Sequence, residues 1–549
     1  MFASLSFALA QLNPVVGDIT GNIAKLRAAR LAASDADLVV VSELFISAYP
    51  PEDLVLKPSF QDAVRAAVEA LAGETADGGP AVLVGAPWVD SGRLYNAVLL
   101  LDAGKIAARI FKCDLPNYGP FDEKRMFAAA PLPEPVPFRG IKLGIMICED
   151  MWTADAAAHL KRHGAELLIV PNGSPYEMGK TAQRRGLAVS RVAETGLPLI
   201  YVNQLGGQDE LVFDGASFAL DGQGGIVAAL PAWEAKTKII QFANGILSSS
   251  VAAETPVREQ SADIYHALML GLRDYVDKNG FPGVVLGLSG GIDSALAAAL
   301  AADALGPDRV WGVMLPSPFN STDSAEDAQA TARALGCRLD TIPITEAMKV
   351  FDVALRPVVG QKMRGTTEEN IQARCRGLIL MALSNATGHM VLSTGNKSEM
   401  SVGYATLYGD MCGGFAVLKD VYKTEIYNIA RWRNVHKPAT ALGADGIVIP
   451  PRTLTKAPTA ELRPDQKDQD SLPPYDILDG ILECLIEQDK GMREIVARGY
   501  DGATVEKVWG LLDRAEYKRR QAPPGVKITR RNLSRDRRYP ITNKYSEKR

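Results

Sequence analysis

The chain has 549 residues, of which 47% are hydrophobic and 23% charged, and its formal net charge is -4. That composition belongs to a folded protein long enough for several cores, and not to a disordered or fibrous chain. The weakly acidic balance excludes a global attraction to nucleic acid or to a membrane surface, and no apolar run reaches the roughly 18 residues of a membrane-spanning helix.

The opening stretch MFASLSFALAQLNPVVGD lacks a basic n-region, so it reads as a strand and not as a targeting leader. Short β-rich runs then alternate with helical ones. Strands are expected at Leu5–Ala10, Asp37–Ser42, Ala81–Ala86, Leu94–Leu101, Ala107–Phe111, Lys142–Ile147, Glu166–Val170 and Leu199–Val202, with amphipathic helices at Ile23–Ala33 and Phe60–Leu71. Several of these strands are apolar throughout, as required when both sheet faces are covered. An α/β sandwich is expected over residues 1–245. A mixed stretch with a serine triplet and Pro256, within 243–260, marks a linker, taken as 246–261.

A second domain, 262–549, opens with a helix carrying YHALMLGLRDYV. Strands are expected at Gly283–Leu288, Arg309–Leu315, Arg338–Ile344 and His389–Ser393, with a glycine loop at Ser289–Ser294 and a helix at Ala295–Leu305. Alternation of β and α predicts a doubly wound parallel sheet. The six cysteines, Cys113, Cys148, Cys337, Cys375, Cys412 and Cys484, are scattered and form no CxxC pair. This argues against a disulfide framework or structural zinc, and for a reducing, cytoplasmic location. From Lys518 onward twelve Lys/Arg face only Asp536 and Glu547, a local net charge of +10. Such a tail is either solvated or folds over a polyanionic small molecule.

Two constellations carry chemistry. In VVLGLSGGIDSALAAAL, residues 284–300, a buried strand meets a glycine loop that opens into a helix. Gly287, Gly290 and Gly291 allow close backbone approach to a phosphate, Ser289 and Ser294 supply hydroxyls, and the helix start adds unpaired N–H groups and partial positive charge. No Gly-Lys-Ser/Thr follows, so this is not a Walker A loop. In the first half, Glu43, Lys112 and Cys148 each end a strand candidate, in DLVVVSE, ARIFK and KLGIMIC. A thiolate can attack an amide carbonyl, a carboxylate can take the thiol proton and later activate water, and an ammonium can stabilise the oxyanion. None of the five histidines lies in these motifs, which disfavours a Cys-His mechanism.

The glycine loop resembles the PP-loop of ATP pyrophosphatases, which cleave ATP to AMP and pyrophosphate while adenylating an acid. SELFISAYPPEDL, FKCDLPNYGPFDEKRMF and GIMICEDMW resemble the Glu-Lys-Cys segments of the nitrilase superfamily. The blocks VLSTGNKSEMSVGYATLYGDMCGGFAVLKDVYKTEIY (391–427), TTEENIQARCRGLILMALSN (366–385), KAPTAELRPDQKDQDSLPPYDILD (456–479) and YKRRQAPPGVKITRRNLSRDRRYPITN (517–543) narrow the resemblance to glutamine-dependent NAD synthetases, over nearly the whole chain. The fold implied is an αββα nitrilase-like sandwich followed by a Rossmann-like PP-loop domain.

The resemblance implies that Tyr118, Ser174 and Lys180 bind glutamine, and that Gly287, Leu288, Ser289, Gly290, Gly291, Ile292, Asp293, Ser294 and Thr394 bind ATP. It further implies that Asn370, Glu399, Tyr404 and Lys518 meet deamido-NAD, and that Asp293 and Glu399 hold Mg²⁺. Asp410, Lys419 and Lys423 belong to the same block. The segment 456–479, which by composition is a polar loop, would order over the substrate. The implied activity is amidation of nicotinic acid adenine dinucleotide to NAD, with ATP as co-substrate and glutamine as nitrogen source. The ammonia would travel through a tunnel, and the enzyme would be a homo-oligomer paired through the synthetase domain, with no nucleic-acid or membrane partner. The alternative is a glutamine-dependent PP-loop ligase acting on another adenylated acid. A silent nucleotide-binding fusion is opposed by the intact Glu43, Lys112, Cys148 and glycine loop.

Overall fold

Apolar residues at nearly every position of β1 (Ser4–Gln11) place it in the middle of a sheet covered on both faces. The computed structural model describes residues 4–250, 258–360, 365–464 and 466–545. Its chain divides into two units, Met1–Val257 and Arg258–Arg549. The core of the presumed linker, 251–257, and the last tail residues, 546–549, lie outside the described residues.

In the first unit β1 is followed by α1 (Ile19–Ala32), β2 (Leu38–Val40), α2 (Pro58–Glu74), β3 (Ala81–Asp90), β4 (Arg93–Asp102), β5 (Lys105–Phe111) and the short α3 (Glu123–Met126). Then come β6 (Val136–Phe138), β7 (Ile141–Ile145), α4 (Asp155–Arg162), β8 (Leu167–Asn172), α5 (Lys180–Thr195) and β9 (Leu199–Asn203). The unit closes with β10 (Leu205–Gln208), β11 (Leu211–Asp214), β12 (Phe218–Leu220), β13 (Ile226–Ala229), β14 (Lys236–Ala243) and β15 (Ile246–Ser248). A seven-stranded sheet runs β15-β14-β1-β2-β3-β4-β5 and a six-stranded sheet runs β13-β12-β9-β8-β7-β6.

Between the sheets, Phe7, Leu9 and Val98 pack with Leu143, Ile169 and Val202. On the opposite face of the seven-stranded sheet, Ala8, Val39 and Val82 pack in one cluster with Leu26 of α1 and Val68 of α2. On the other outer surface Leu160 of α4 and Val192 of α5 cover Leu168 and Tyr201. This is the expected αββα sandwich. The strands after β9 were not expected from periodicity. They are short, and one of them enters the stretch read as linker: β15 pairs antiparallel with β14 across Asn244 (φ 52) and Gly245 (φ 79). Two successive positive φ angles at Asn-Gly form the turn that matches strand twist, so the dipeptide was the readable signal.

In the second unit α6 (Gln260–Lys278) precedes β16 (Val284–Gly287), α7 (Ile292–Leu305), β17 (Val310–Met314), α8 (Thr322–Leu335), β18 (Arg338–Thr341), α9 (Thr345–Val359) and α10 (Thr366–Thr387). There follow β19 (Met390–Ser393), α11 (Lys397–Val402), β20 (Phe415–Ala416) and α12 (Lys423–Val435). Every pairing is parallel in the order β18-β17-β16-β19-β20, so the chain reverses direction across the sheet between β17 and β19, on either side of β16. That switch point is where open α/β sheets bind ligands. Edge strand β20 has two residues, too few for a periodic signal. Among the described residues no helix is long and apolar enough to cross a membrane.

Helix α7 is almost wholly buried, which its alanine-rich sequence permits, yet it carries Asp303. Arg433 of α12 donates to that carboxylate through Nε at 2.5 Å and Nη2 at 3.1 Å, and the Tyr265 hydroxyl of α6 at 2.5 Å. The basic tail is folded into its own unit by acids elsewhere in it: Arg519, Arg520 and Arg537 converge on Glu516, and Lys527 pairs with Asp536 at 2.9 Å. These four members of the tail are therefore paired with acids of their own unit. Asp303→Ala would leave the Arg433 guanidinium buried without a carboxylate and is expected to lower stability by about 3–5 kcal/mol, read as an earlier urea unfolding midpoint; an unchanged midpoint would show that the pair adds nothing.

Candidate active sites

In the first unit the three expected residues meet at neighbouring strand ends. Glu43 follows β2, Lys112 follows β5 directly and Cys148 follows β7. Lys112 is fully buried; its Nζ donates to Glu43 Oε1 at 2.6 Å and to Glu123 Oε1 and Oε2 at 2.9 and 3.0 Å. Burial disfavours the ammonium, but Glu123 and Glu43 outweigh it and hold Lys112 charged well beyond the ordinary lysine range. Burial pushes the Glu123 carboxyl up to about 7 against the pull of Lys112.

Glu43 Oε1 also accepts from Asn96 Nδ2 at 2.7 Å, while Oε2 is buried with no hydrogen-bond partner. A Cβ on Gly173 would lie 3.0 Å from that oxygen and 3.1 Å from the Tyr49 ring, so a larger residue would crowd Glu43 where the turn after β8 passes it. The Gly173 backbone N–H lies close enough to the Cys148 sulfur to draw its pKa slightly down. Cys148 has φ 47 and begins the tight 3₁₀ turn Cys148–Met151. A non-glycine residue in this region costs of order 1–3 kcal/mol and is tolerated where the surroundings enforce it. Burial and the Glu43 charge push the thiol well up, with Lys112 opposing, so the resting sulfur is protonated and requires a base.

Tyr118 donates to both Glu149 oxygens at 3.0 Å. Lys180, at the start of α5, lies 4.3 Å over the Trp152 ring, and burial lowers its pKa. Glu149 directly follows Cys148 and Trp152 caps the same 3₁₀ turn, so the Tyr118 and Lys180 side chains both lie against the segment that carries the thiol. Ser174 is buried beside Gly173, its N–H donating to Asn203 Oδ1 at 3.0 Å. Sequence reasoning missed Glu123, Asn96 and Gly173. Glu123 lies inside the quoted FDEKRMF text, but an acid among charged neighbours gives no hint of burial.

In the second unit a cavity of about 560 Å³ is lined by Gly287, Leu288, Ser289, Gly290, Gly291, Ile292, Asp293, Ser294, Thr394, Glu399, Tyr404, Asp410 and Lys423. Helix α7 begins at Ile292, so Asp293 and Ser294 belong to its first turn and not to the loop. Gly290 is required twice: its φ is +81, and a Cβ would come within 2.2 Å of the Ser324 carbonyl. Gly287 has no such constraint, because only Leu380, at 3.6 Å, would face its Cβ.

Lys423, buried at the start of α12, donates to Asp293 Oδ2 and, at 3.4 Å, to Glu399 Oε1. Asn396 caps α11 and donates to Asp293 Oδ1 at 2.9 Å. Burial raises Glu399 to about 8 despite Lys423. Two partly buried acids thus converge on one buried ammonium. Lys419, expected in the same block, instead donates to the Pro523 carbonyl at 2.8 Å.

Asn370 and Lys518 do not line the cavity. The Thr406 hydroxyl donates to Asn370 at 2.8 Å, and Lys518 Nζ donates to the Gly403 and Ala405 carbonyls at 2.9 and 2.7 Å, so both support the turn carrying Tyr404. The segment 456–462 lies over the cavity. Its Glu461 accepts from Ser324 at 2.7 Å, Ser321 at 2.8 Å and Asn320 at 3.0 Å. Asp465 of the same segment lies outside the described residues.

Residues 6–245 match the family model for carbon-nitrogen hydrolases and residues 264–522 that for NAD synthases. The chain is 48% identical over 545 residues to the glutamine-dependent NAD(+) synthetase of Rhodobacter capsulatus, covering 98% of each chain. It is 47% identical to that of Xanthomonas campestris pv. campestris, covering 99% of this chain and 98% of the relative. The structure of the glutamine-dependent NAD+ synthetase of Acinetobacter baumannii in complex with adenosine diphosphate superposes with a TM-score of 0.78 at 42% identity, covering 98% of this chain and 99% of that one. Both sites lie within this end-to-end similarity, and the chain belongs to the glutamine-dependent NAD(+) synthetase family.

Proposed function

We propose that the chain converts nicotinic acid adenine dinucleotide to NAD in two steps at two sites, with Cys148 releasing ammonia from glutamine and the glycine-loop cavity using it. The observation that carries the reading is the coexistence, in one chain of this family, of a buried Cys-Glu-Lys cluster and a loop-and-carboxylate cavity at a sheet switch point. An alternative acid as acceptor has no observation in its favour.

At the first site Glu43 Oε2, the oxygen without a partner, takes the thiol proton of Cys148. The thiolate attacks the side-chain amide carbon of glutamine, and the oxyanion forms beside the Lys112 ammonium. Collapse expels ammonia, which carries away the proton held by Glu43, and leaves a thioester. Glu43 then deprotonates water, whose attack frees glutamate and restores the thiol. Glu123 keeps Lys112 in place and charged. Tyr118, Ser174 and Lys180 surround the position of the amino acid, with Lys180 suited to its carboxylate.

At the second site the pyridine carboxylate attacks the α-phosphorus of ATP and pyrophosphate leaves, giving an adenylated acid. The loop Gly287–Ser294 and the start of α7 direct N–H groups and partial positive charge at the leaving phosphates. Thr394 closes the ATP side, Glu399 and Tyr404 the dinucleotide side. Ammonia attacks the acyl carbon and AMP leaves. The nucleophile must arrive unprotonated, which gives a reason for making it within the same chain.

Asp293 and Glu399 would hold Mg²⁺. The fit rests on their convergence on a cation and on their hard oxygen donors, which suit an ion shared with phosphates. Bound there, the ion supplies neutralisation of phosphate charge. Cytoplasmic residence is supported by six unpaired cysteines. Pairing of subunits through the synthetase unit is supported by Val350, Val353 and Val358, exposed on α9, and by Leu378 on α10.

Cys148→Ala is expected to abolish NAD formation from glutamine while leaving formation from ammonium chloride unchanged; loss of both would overturn the two-site reading. Asp293→Ala is expected to remove synthesis from either nitrogen source, and full retained activity would place Asp293 outside the chemistry. Glu123→Gln, which leaves Lys112 one carboxylate, is expected to lower the glutamine-dependent kcat about 100-fold with ammonia-dependent synthesis intact; an unaffected kcat would make Glu123 a bystander.

A further inference from the structure

One buried carboxylate in the first unit is unused by the reaction above, yet it joins the two turns that carry the ammonium and the thiol. Asp150 has no solvent exposure. Its Oδ1 accepts from the backbone N–H of Cys113 at 3.0 Å, from that of Asp114 at 2.8 Å and from the Cys113 thiol at 3.1 Å. Its Oδ2 accepts from the Ile147 N–H at 2.9 Å. The two oxygens therefore serve different sheets. Cys113 and Asp114 follow β5, an edge of the seven-stranded sheet, and Ile147 follows β7 of the six-stranded sheet.

These sheets face each other through apolar side chains, which attract without specifying position to a fraction of an ångström. Hydrogen bonds to a carboxylate do specify it. On one side Asp150 fixes the residues directly after Lys112. On the other it clasps Cys148 from both ends, because its own N–H also donates to the Ile147 carbonyl at 3.1 Å. That clasp keeps Cys148 in its unfavourable φ. The Thr153 hydroxyl adds a bond to Asp114 at 3.1 Å along the same seam. Burial pushes the Asp150 carboxyl up to about 6 while the N–H donors draw it down, so it is ionised at neutral pH and accepts at both oxygens.

We propose that Asp150 is a positioning residue for glutamine hydrolysis, whose carboxylate holds the Lys112 ammonium and the Cys148 thiol at the separation the tetrahedral oxyanion requires. The inference rests on the glutaminase reading of this site. Asp150 touches neither substrate nor the reacting atoms and acts through the backbone of its neighbours.

The test uses the full chain with Asp150→Asn and Asp150→Ala, and Cys148→Ala as control. Asn keeps the shape but only one acceptor oxygen, so it releases one turn; Ala releases both. The glutamine-dependent kcat, per site titrated with iodoacetamide, is expected to fall about 100-fold in Asn and further in Ala. The KM for glutamine should stay within about 3-fold and ammonia-dependent NAD formation should be unchanged, since only transition-state geometry is disturbed. A wild-type kcat in both variants would overturn the proposal. So would a raised KM with kcat intact, or a kcat that falls only in step with loss of thermal stability across the two variants. Glutamine-driven synthesis surviving in Cys148→Ala would instead bring down the underlying reading of the site, so the two failures are told apart.

Discussion

Both sites are organised by the same constraint: a cation taken out of water must be met by carboxylates, and the carboxylates by it. Lys112 has no exposure, and its charge is tolerated only because Glu43 and Glu123 stand 2.6 and 2.9 Å away. Lys423 plays the same part between Asp293 and Glu399. Removing one member of such a cluster strands the rest in a low-dielectric interior, at a cost well above that of a surface pair. The groups needed for chemistry are thus held in place by an electrostatic debt that exists before any substrate arrives.

The folds turn this constraint into geometry by placing the charges at strand ends. In the first unit β2, β5 and β7 deliver a carboxylate, an ammonium and a thiol from two sheets. In the second, β16 hands over directly to the glycine loop and α7, and β19 to Thr394 and α11. The sheets supply rigid, apolar support; the loops supply polar atoms whose position the support determines. The residues behind each site follow the same division. Asn370 and Lys518 shape the turn bearing Tyr404 without facing the cavity.

Local strain marks both sites. Cys148 sits at φ 47 in a turn enclosed by Asp150 and Gly173. Gly290 adopts φ +81 against the Ser324 carbonyl, where no other residue fits. Each departure from relaxed backbone presents a reactive or binding atom that a regular strand or helix would turn away. Glu461 shows the complementary effect in an exposed-looking polar segment: three hydroxyl and amide donors fix it at the start of α8, beside the glycine loop.

What the sequence determined is what local pattern encodes. Alternating apolar runs specified two α/β units, the glycine loop its strand-loop-helix setting, and Glu43, Lys112 and Cys148 declared themselves because each ends an apolar strand in a distinctive text. The tertiary structure alone decided which polar residues lose their water. Glu123 and Asp150 look like ordinary surface acids in the chain, the basic tail looks free, and Lys419 and Lys423 look equivalent. The packed fold buried both lysines and gave them different partners, sending Lys423 between two carboxylates and Lys419 to the Pro523 carbonyl. The reason is physical: periodicity reports which face of an element is apolar, whereas the partner of a buried charge comes from a distant segment that only the packed fold brings within hydrogen-bonding reach.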